Sequence, residues 1–201
     1  MAKNCLYAIL ALVFLIPSIS LARPHISGEM EWQFDGDGGR GFSQYLWLDT
    51  EHSNFVARYA WVEKTLEQGE FAIGPTFPMG GFTVKLWAGA TTEKSVMLGG
   101  SLAGSVWEHD VLYILDPKIS TNELPDALYQ KLFVALDKKG SWQFRIESLQ
   151  VAGNAVFVRT GVEYELTLPW LPESNHLFIH PFFDPQGHNV GIHVGCRFFN
   201  W

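Results

Sequence analysis

The chain has 201 residues, enough for one domain with a sizeable core or one closed sheet, and no second domain is expected. It carries 14 Lys and Arg against 21 Asp and Glu, and a formal charge of −7 is the wrong sign for a nucleic-acid partner. Its two cysteines, Cys5 and Cys196, are too few for a disulfide scaffold.

Lys3 precedes an apolar run from Leu6 to Ile16, followed by Pro17 and the small-x-small triplet Ser20-Leu21-Ala22. That is the pattern of a secretory signal peptide over residues 1–22, cut before Arg23, and the run is too short for a spanning helix. Removing Lys3 leaves 13 basic against 21 acidic side chains, a formal charge of −8 for residues 23–201. The exported chain keeps Cys196 alone and closes no internal disulfide.

After the leader no heptad, long helical period or 20 to 50-residue repeat appears. Alternation and turn residues predict strands at Met30–Asp35, Gly41–Asp49, Asn54–Glu63, Glu70–Phe77, Gly81–Thr91 and Ser95–Trp107. Six more follow at Val111–Asp116, Tyr129–Asp137, Ser141–Val151, Ala155–Leu168, His176–Phe183 and His188–Phe199. Crossing a bilayer takes about 9–11 tilted residues, a length that Glu70–Phe77 and Val111–Asp116 fall short of. Pro117 to Ala127 reads as a surface loop with room for one helical turn.

Two turns fix registers. Asp137-Lys138-Lys139-Gly140 has the chemistry of a type I turn closed by a glycine bulge. Leu136 then faces Trp142, Val134 faces Phe144 and Leu132 faces Ile146, while Ala135–Gln143, Phe133–Arg145 and Lys131–Glu147 share the other side. Across Asp184-Pro185-Gln186-Gly187 a direct register puts Leu177 beside Val194, Ile179 beside Ile192, and His180 opposite Gly191. In Ala155–Leu168, Val156, Val158, Val162, Tyr164, Leu166 and Leu168 alternate with Phe157, Arg159, Gly161, Glu163, Glu165 and Thr167.

A soluble sandwich and a membrane barrel share this period with opposite polarity, so alternation alone leaves both open. Three features favour lipid outside. Ser95–Trp107, "SVMLGGSLAGSVW", has no charge on either face. Most predicted strands reach spanning length. Trp32, Trp47, Trp61, Trp107, Trp142, Trp170 and Trp201 fall near strand ends, where interfacial girdles lie, and Trp87 alone falls nearer a centre.

The leader, the alternating strands, the glycine-rich turns and the last strand "VGIHVGCRFFNW", with Phe199 and Trp201 at its end, together resemble the small bacterial outer-membrane β-barrel proteins. The resemblance covers nearly all of residues 23–201, although Gly195 and Arg197 are out of phase with that class's closing signal. It implies an all-β, antiparallel, up-and-down closed barrel of about 8–12 transmembrane strands, in contact with membrane lipid and located in the outer membrane. The role expected is structural, adhesive or narrow transport, with no cofactor.

Two alternatives accompany this expectation: a soluble periplasmic, lipocalin-like barrel binding an apolar ligand, and a rim enzyme acting on lipid. The enzyme reading rests on Asp49, His52 and Ser53, an acid, an imidazole and a hydroxyl in one hairpin loop. Asp35-Gly36-Asp37-Gly38-Gly39 offers carboxylates of the kind calcium takes, but lacks the later bidentate Glu and reads as a glycine turn. In the last hairpin His176, His180 and His193 share a face, with His188 and Asp184 at the turn, and imidazoles with a carboxylate suit zinc or copper. In a barrel, Lys131, Arg145, Glu147, Arg159, Glu163, Glu165, His193 and Arg197 would line the interior, where mixed signs form a salt-bridged plug.

Overall fold

The computed structural model describes residues 25–63, 66–120, 126–152, 154–168, 175–186 and 188–199. The expected leader, Trp170 and Trp201 lie outside them. Twelve strands follow one another: β1 (His25–Asp35), β2 (Arg40–Asp49), β3 (Ser53–Val62), β4 (Leu66–Met79), β5 (Phe82–Thr91), β6 (Ser95–Val106), β7 (His109–Ser120), β8 (Ala127–Ala135), β9 (Trp142–Val151), β10 (Asn154–Leu166), β11 (Asn175–Asp184) and β12 (Asn189–Phe199). Each is antiparallel to its chain neighbours, and β1 pairs with β12 from Ser27↔Phe199 to Asp35↔Gly191, closing the barrel. No connection between strands is longer than the eight residues from β10 to β11. One end of the barrel carries the start of β1 and the finish of β12, and is called the terminus end below.

The sign of the faces is inverted relative to a soluble protein. Trp32, Phe34, Leu46, Phe71, Ile73, Leu86, Leu98, Leu136, Val162 and Val194 are exposed. The alternating positions Glu29, Glu31, Glu70, Asp116, Lys131, Arg145, Glu147, Glu163 and Arg197 are buried. Along the outward register of the described strands, Asp, Glu, Lys and Arg occur only as Arg40 and Glu67, both at the end remote from the termini. A charge at the bilayer midplane of such a face costs about 2–4 kcal/mol, and the sequence places none there. This polarity overturns the soluble, lipocalin-like alternative, whose outer surface would have to be the charged one.

Aromatic residues crowd both rims, as in barrels that sit in a bilayer. Away from the termini, Phe42 lies between Trp32 and Trp61 across three strands, its ring 5.2 Å from that of Trp32. At the terminus end Trp107 is 91% exposed, and Trp142 lies 4.4 Å from Tyr164. Trp47 departs from the expected girdle: it turns inward, stacks on Tyr45 at 5.3 Å and packs against the interior cluster of Val56, Ala72, Trp87, Met97 and Ile114. The period of two fixes this, because Trp47 shares the inward parity of Tyr45 and Asp49.

The β8–β9 hairpin has the predicted register from Lys131↔Glu147 to Ala135↔Gln143. Gly140 takes φ +70° in its turn, and Asp137 Oδ1 accepts from the Trp142 amide at 3.0 Å. The last hairpin is corrected by two residues. Ile179 pairs with Val194, Leu177 with Cys196 and His180 with His193, because the connection 185–188 is a four-residue loop closed by Asp184↔Asn189, with His188 at φ +50°. A two-residue turn was the wrong template.

β4 and β7 are also longer than predicted, at 14 and 12 residues, and the stretch read as a loop from Pro117 enters β7 as far as Ser120. Prolines interrupt a ladder without ending the strand. The β6–β7 pairing omits Asp116 and Pro117 and resumes in the same register; Pro75 does the same between β4 and β5, and Pro181 between β10 and β11. A residue with no amide proton breaks rungs, but the closed sheet on both sides holds the strand extended.

Candidate functional site

Inward positions of β1, β8, β9, β10 and β12 fill one side of the lumen with ion pairs that run across it as chords. Lys131 of β8 reaches Glu29 of β1 at 2.9 Å and Glu147 at 3.2 Å. Arg145 donates from Nη1 to Glu163 at 2.8 Å and from Nε to Glu147 at 3.0 Å, and pairs with Glu31 across the barrel. Arg197 donates from Nε to Glu29 at 2.6 Å and also holds Glu163 and Glu165. Arg159 donates to Gln33 at 2.9 Å and lies 3.7 Å from Asp35.

Aromatic faces shelve these cations. The Arg197 guanidinium stands 4.4 Å from the Phe178 ring centre, and the Lys131 ammonium 4.8 Å from that of Phe133. Glycine makes the room: a Cβ on Gly195, opposite Phe178, would come within 2.5 Å of that ring and 2.2 Å of the Met30 carbonyl. Removing one member of such a buried pair costs about 3–5 kcal/mol, because its partner stays charged and enclosed.

A second group lies toward the end remote from the termini, on β3, β4 and β7. Arg58 pairs with Glu70 and, at 2.9 Å, with Asp116; Lys118 also pairs with Glu70. Arg58 is sandwiched between Tyr45 and Tyr129, 5.5 and 5.3 Å from their ring centres. Between this group and the terminus rim lies a cavity of about 540 Å³, walled by Trp47, Trp87 and Ile114, floored by Glu29, Lys131 and Arg197, and reaching the rim at Ser105 and Gly140. The lumen is thus a vestibule that ends on a charged lattice.

All eight residues expected in the interior, Lys131, Arg145, Glu147, Arg159, Glu163, Glu165, His193 and Arg197, point into it. Sequence reading missed Glu29, Glu31, Arg58, Glu70, Asp116 and Lys118. Glu29-Met-Glu-Trp-Gln-Phe-Asp35 alternates as plainly as the later strands, and beginning its strand at Met30 hid Glu29; Asp116 and Lys118 were hidden by Pro117.

The other candidates separate. His180 and His193, both fully buried, meet with Nδ1 atoms 3.3 Å apart, and His193 lies 3.4 Å from Glu31. His176 does not join them and sits 3.4 Å from Thr167 at the terminus end. Asp49, His52 and Ser53 are not arranged for acyl transfer: the Ser53 hydroxyl bonds Thr50 at 2.8 Å, and Asp49 pairs with Lys85 at 2.5 Å. In the Asp35–Gly39 turn the Gly39 amide donates to Asp37 at 3.1 Å, a turn-closing use of that carboxylate.

A closed barrel, apolar outside and charged inside, is the architecture of outer-membrane β-barrels, and solved structures of that class resemble this chain in fold. A structure described as the KdgM porin is 9% identical with a TM-score of 0.58, covering 86% of this chain and 98% of the porin. The same porin in complex with disordered oligogalacturonate gives 8% and 0.58, over 86% and 98% of the two chains. The Acinetobacter baumannii outer-membrane protein Omp33 is 9% identical with a TM-score of 0.51, covering 89% of this chain and 97% of that one. No protein-family model and no curated protein matches the sequence.

Proposed function

We propose that the chain is exported to the outer membrane, where it passes small polar solutes through a constricted lumen. The observation that carries this reading is the vestibule of about 540 Å³ that stops on a lattice of ion pairs strung from wall to wall. Its volume matches the clefts of about 300–1,000 Å³ that hold small molecules. A filler needs no such vestibule, and connections of eight residues or fewer offer little surface for adhesion. The fold likeness to porins agrees with a transport role, and the expected leader and the apolar exterior agree with the location.

Conductance of the purified chain in planar lipid bilayers tests the proposal. Wild-type protein should give small unitary currents. The double variant Arg145→Ala, Glu163→Ala, which removes a pair together and leaves less uncompensated charge, should raise them several-fold. Wild type and double variant that are both electrically silent while inserted would defeat it.

A further inference from the structure

Resting on the transport reading above, we propose that the lumen admits small cations in preference to anions, and that organic ammonium ions with an apolar flank are the solutes its vestibule fits best.

The charges met on the way inward do not cancel. In the lattice five carboxylates, Glu29, Glu31, Glu147, Glu163 and Glu165, stand against three cations, Lys131, Arg145 and Arg197. A proton held within that network would still leave negative charge in excess. Other inward acids and bases pair off: Glu70 and Asp116 with Arg58 and Lys118, Asp49 with Lys85, and Asp35 with Arg159. At the mouth of the vestibule the surplus grows, because Asp110 accepts the Ser105 hydroxyl at 2.6 Å and pairs with no cation among the described residues. Walls of one net sign around a narrow, low-dielectric passage draw in the opposite charge and repel their own.

The cations that line the vestibule are already engaged. Lys85 holds Asp49, Lys131 holds Glu29 and Glu147, and Arg197 holds Glu29, Glu163 and Glu165. Arg197 Nη2 has no partner, but its side chain lies among three carboxylates whose field an anion would meet as well. An anion therefore has to break an existing pair to be held, whereas a cation finds Asp110 at the entrance and surplus carboxylate below.

The uncharged wall points the same way. Trp47, Trp87, Leu112 and Ile114 stand over the charged floor, and the barrel already lays cations against rings. Tyr45, which also lines the vestibule, has the Arg58 guanidinium and the Lys131 ammonium each 5.5 Å from its ring centre. Ring faces attract cations electrostatically. A solute with a positive head and an apolar flank satisfies both surfaces within about 540 Å³.

The test uses the full chain inserted in a planar lipid bilayer under a KCl gradient. The reversal potential should lie on the potassium side, with a several-fold preference over chloride near ~0.1 M salt, where fields reach about 10 Å, that fades near ~1 M, where they reach about 3 Å. Asp110→Lys, at the exposed rim, should at least halve that preference. Benzyltrimethylammonium should block the potassium current at several-fold lower concentration than tetramethylammonium, and Trp47→Leu should narrow that gap. Reversal at zero or on the chloride side overturns the cation preference while conduction, and with it the transport reading, stands. Equal block by the two ammonium ions in the wild-type chain overturns the apolar flank. Inserted protein that carries no current defeats the transport reading and the preference together.

Discussion

Pro75 removes rungs between β4 and β5, and one side chain takes up what is left. Asn54 Nδ2, buried on β3, shares its two N–H groups among the carbonyls of Gly74 at 3.2 Å, Pro75 at 2.9 Å and Leu86 at 3.1 Å. Backbone acceptors enclosed in a barrel wall have no water to turn to, so the patch is worth more than a surface hydrogen bond. Asn54→Ala should therefore lower stability by about 1–3 kcal/mol, the usual cost of a buried partner lost, read as the shift in urea unfolding midpoint of the folded barrel. An unchanged midpoint would mean that the three carbonyls find other donors.

At the scale of the strand, the outward row decides whether the element can sit in lipid. Val162, in the middle of β10 and 38% exposed, faces out beside the inward Glu163. Val162→Arg should destabilise the vesicle-folded protein by about 2–4 kcal/mol, and denaturant titration in liposomes would show it; a shift below a few tenths would mean that this row does not meet hydrocarbon. Such rows were legible from sequence because each strand repeats one two-residue pattern. The Leu132, Val134, Leu136 ridge, the β8–β9 register and the inward Lys131, Arg145 and Glu147 follow from parity and one turn. What stayed hidden depended on partners far along the chain. Nothing local links Lys131 to Glu29 or Arg145 to Glu31, and nothing local says that Pro117 will be held extended between β6 and β8. The His180–His193 meeting was missed by two residues, because the loop after Asp184 belongs to a longer turn class than the one assumed.

For the whole molecule, a largely apolar exterior with no Asp, Glu, Lys or Arg away from one rim, and aromatic rims at both ends, imply retention by the bilayer without any spanning helix; among the described residues no helix is long and apolar enough to cross one. Alkaline carbonate should leave the expressed protein in the membrane pellet, with release only on adding detergent; release by carbonate alone would count against the outer-membrane proposal. The short connections noted above carry a further consequence. Among the described residues so little chain lies beyond the strands that what narrows this barrel is fixed in its walls rather than hung from its rim. Adjusting that narrowing means breaking and remaking buried ion pairs of individual guanidinium and carboxylate arms rather than moving a flap. Under the proposed transport role, a passage built this way would behave as a sieve, sorting solutes by how readily they trade places with the mesh, and not as a door that is either shut or open.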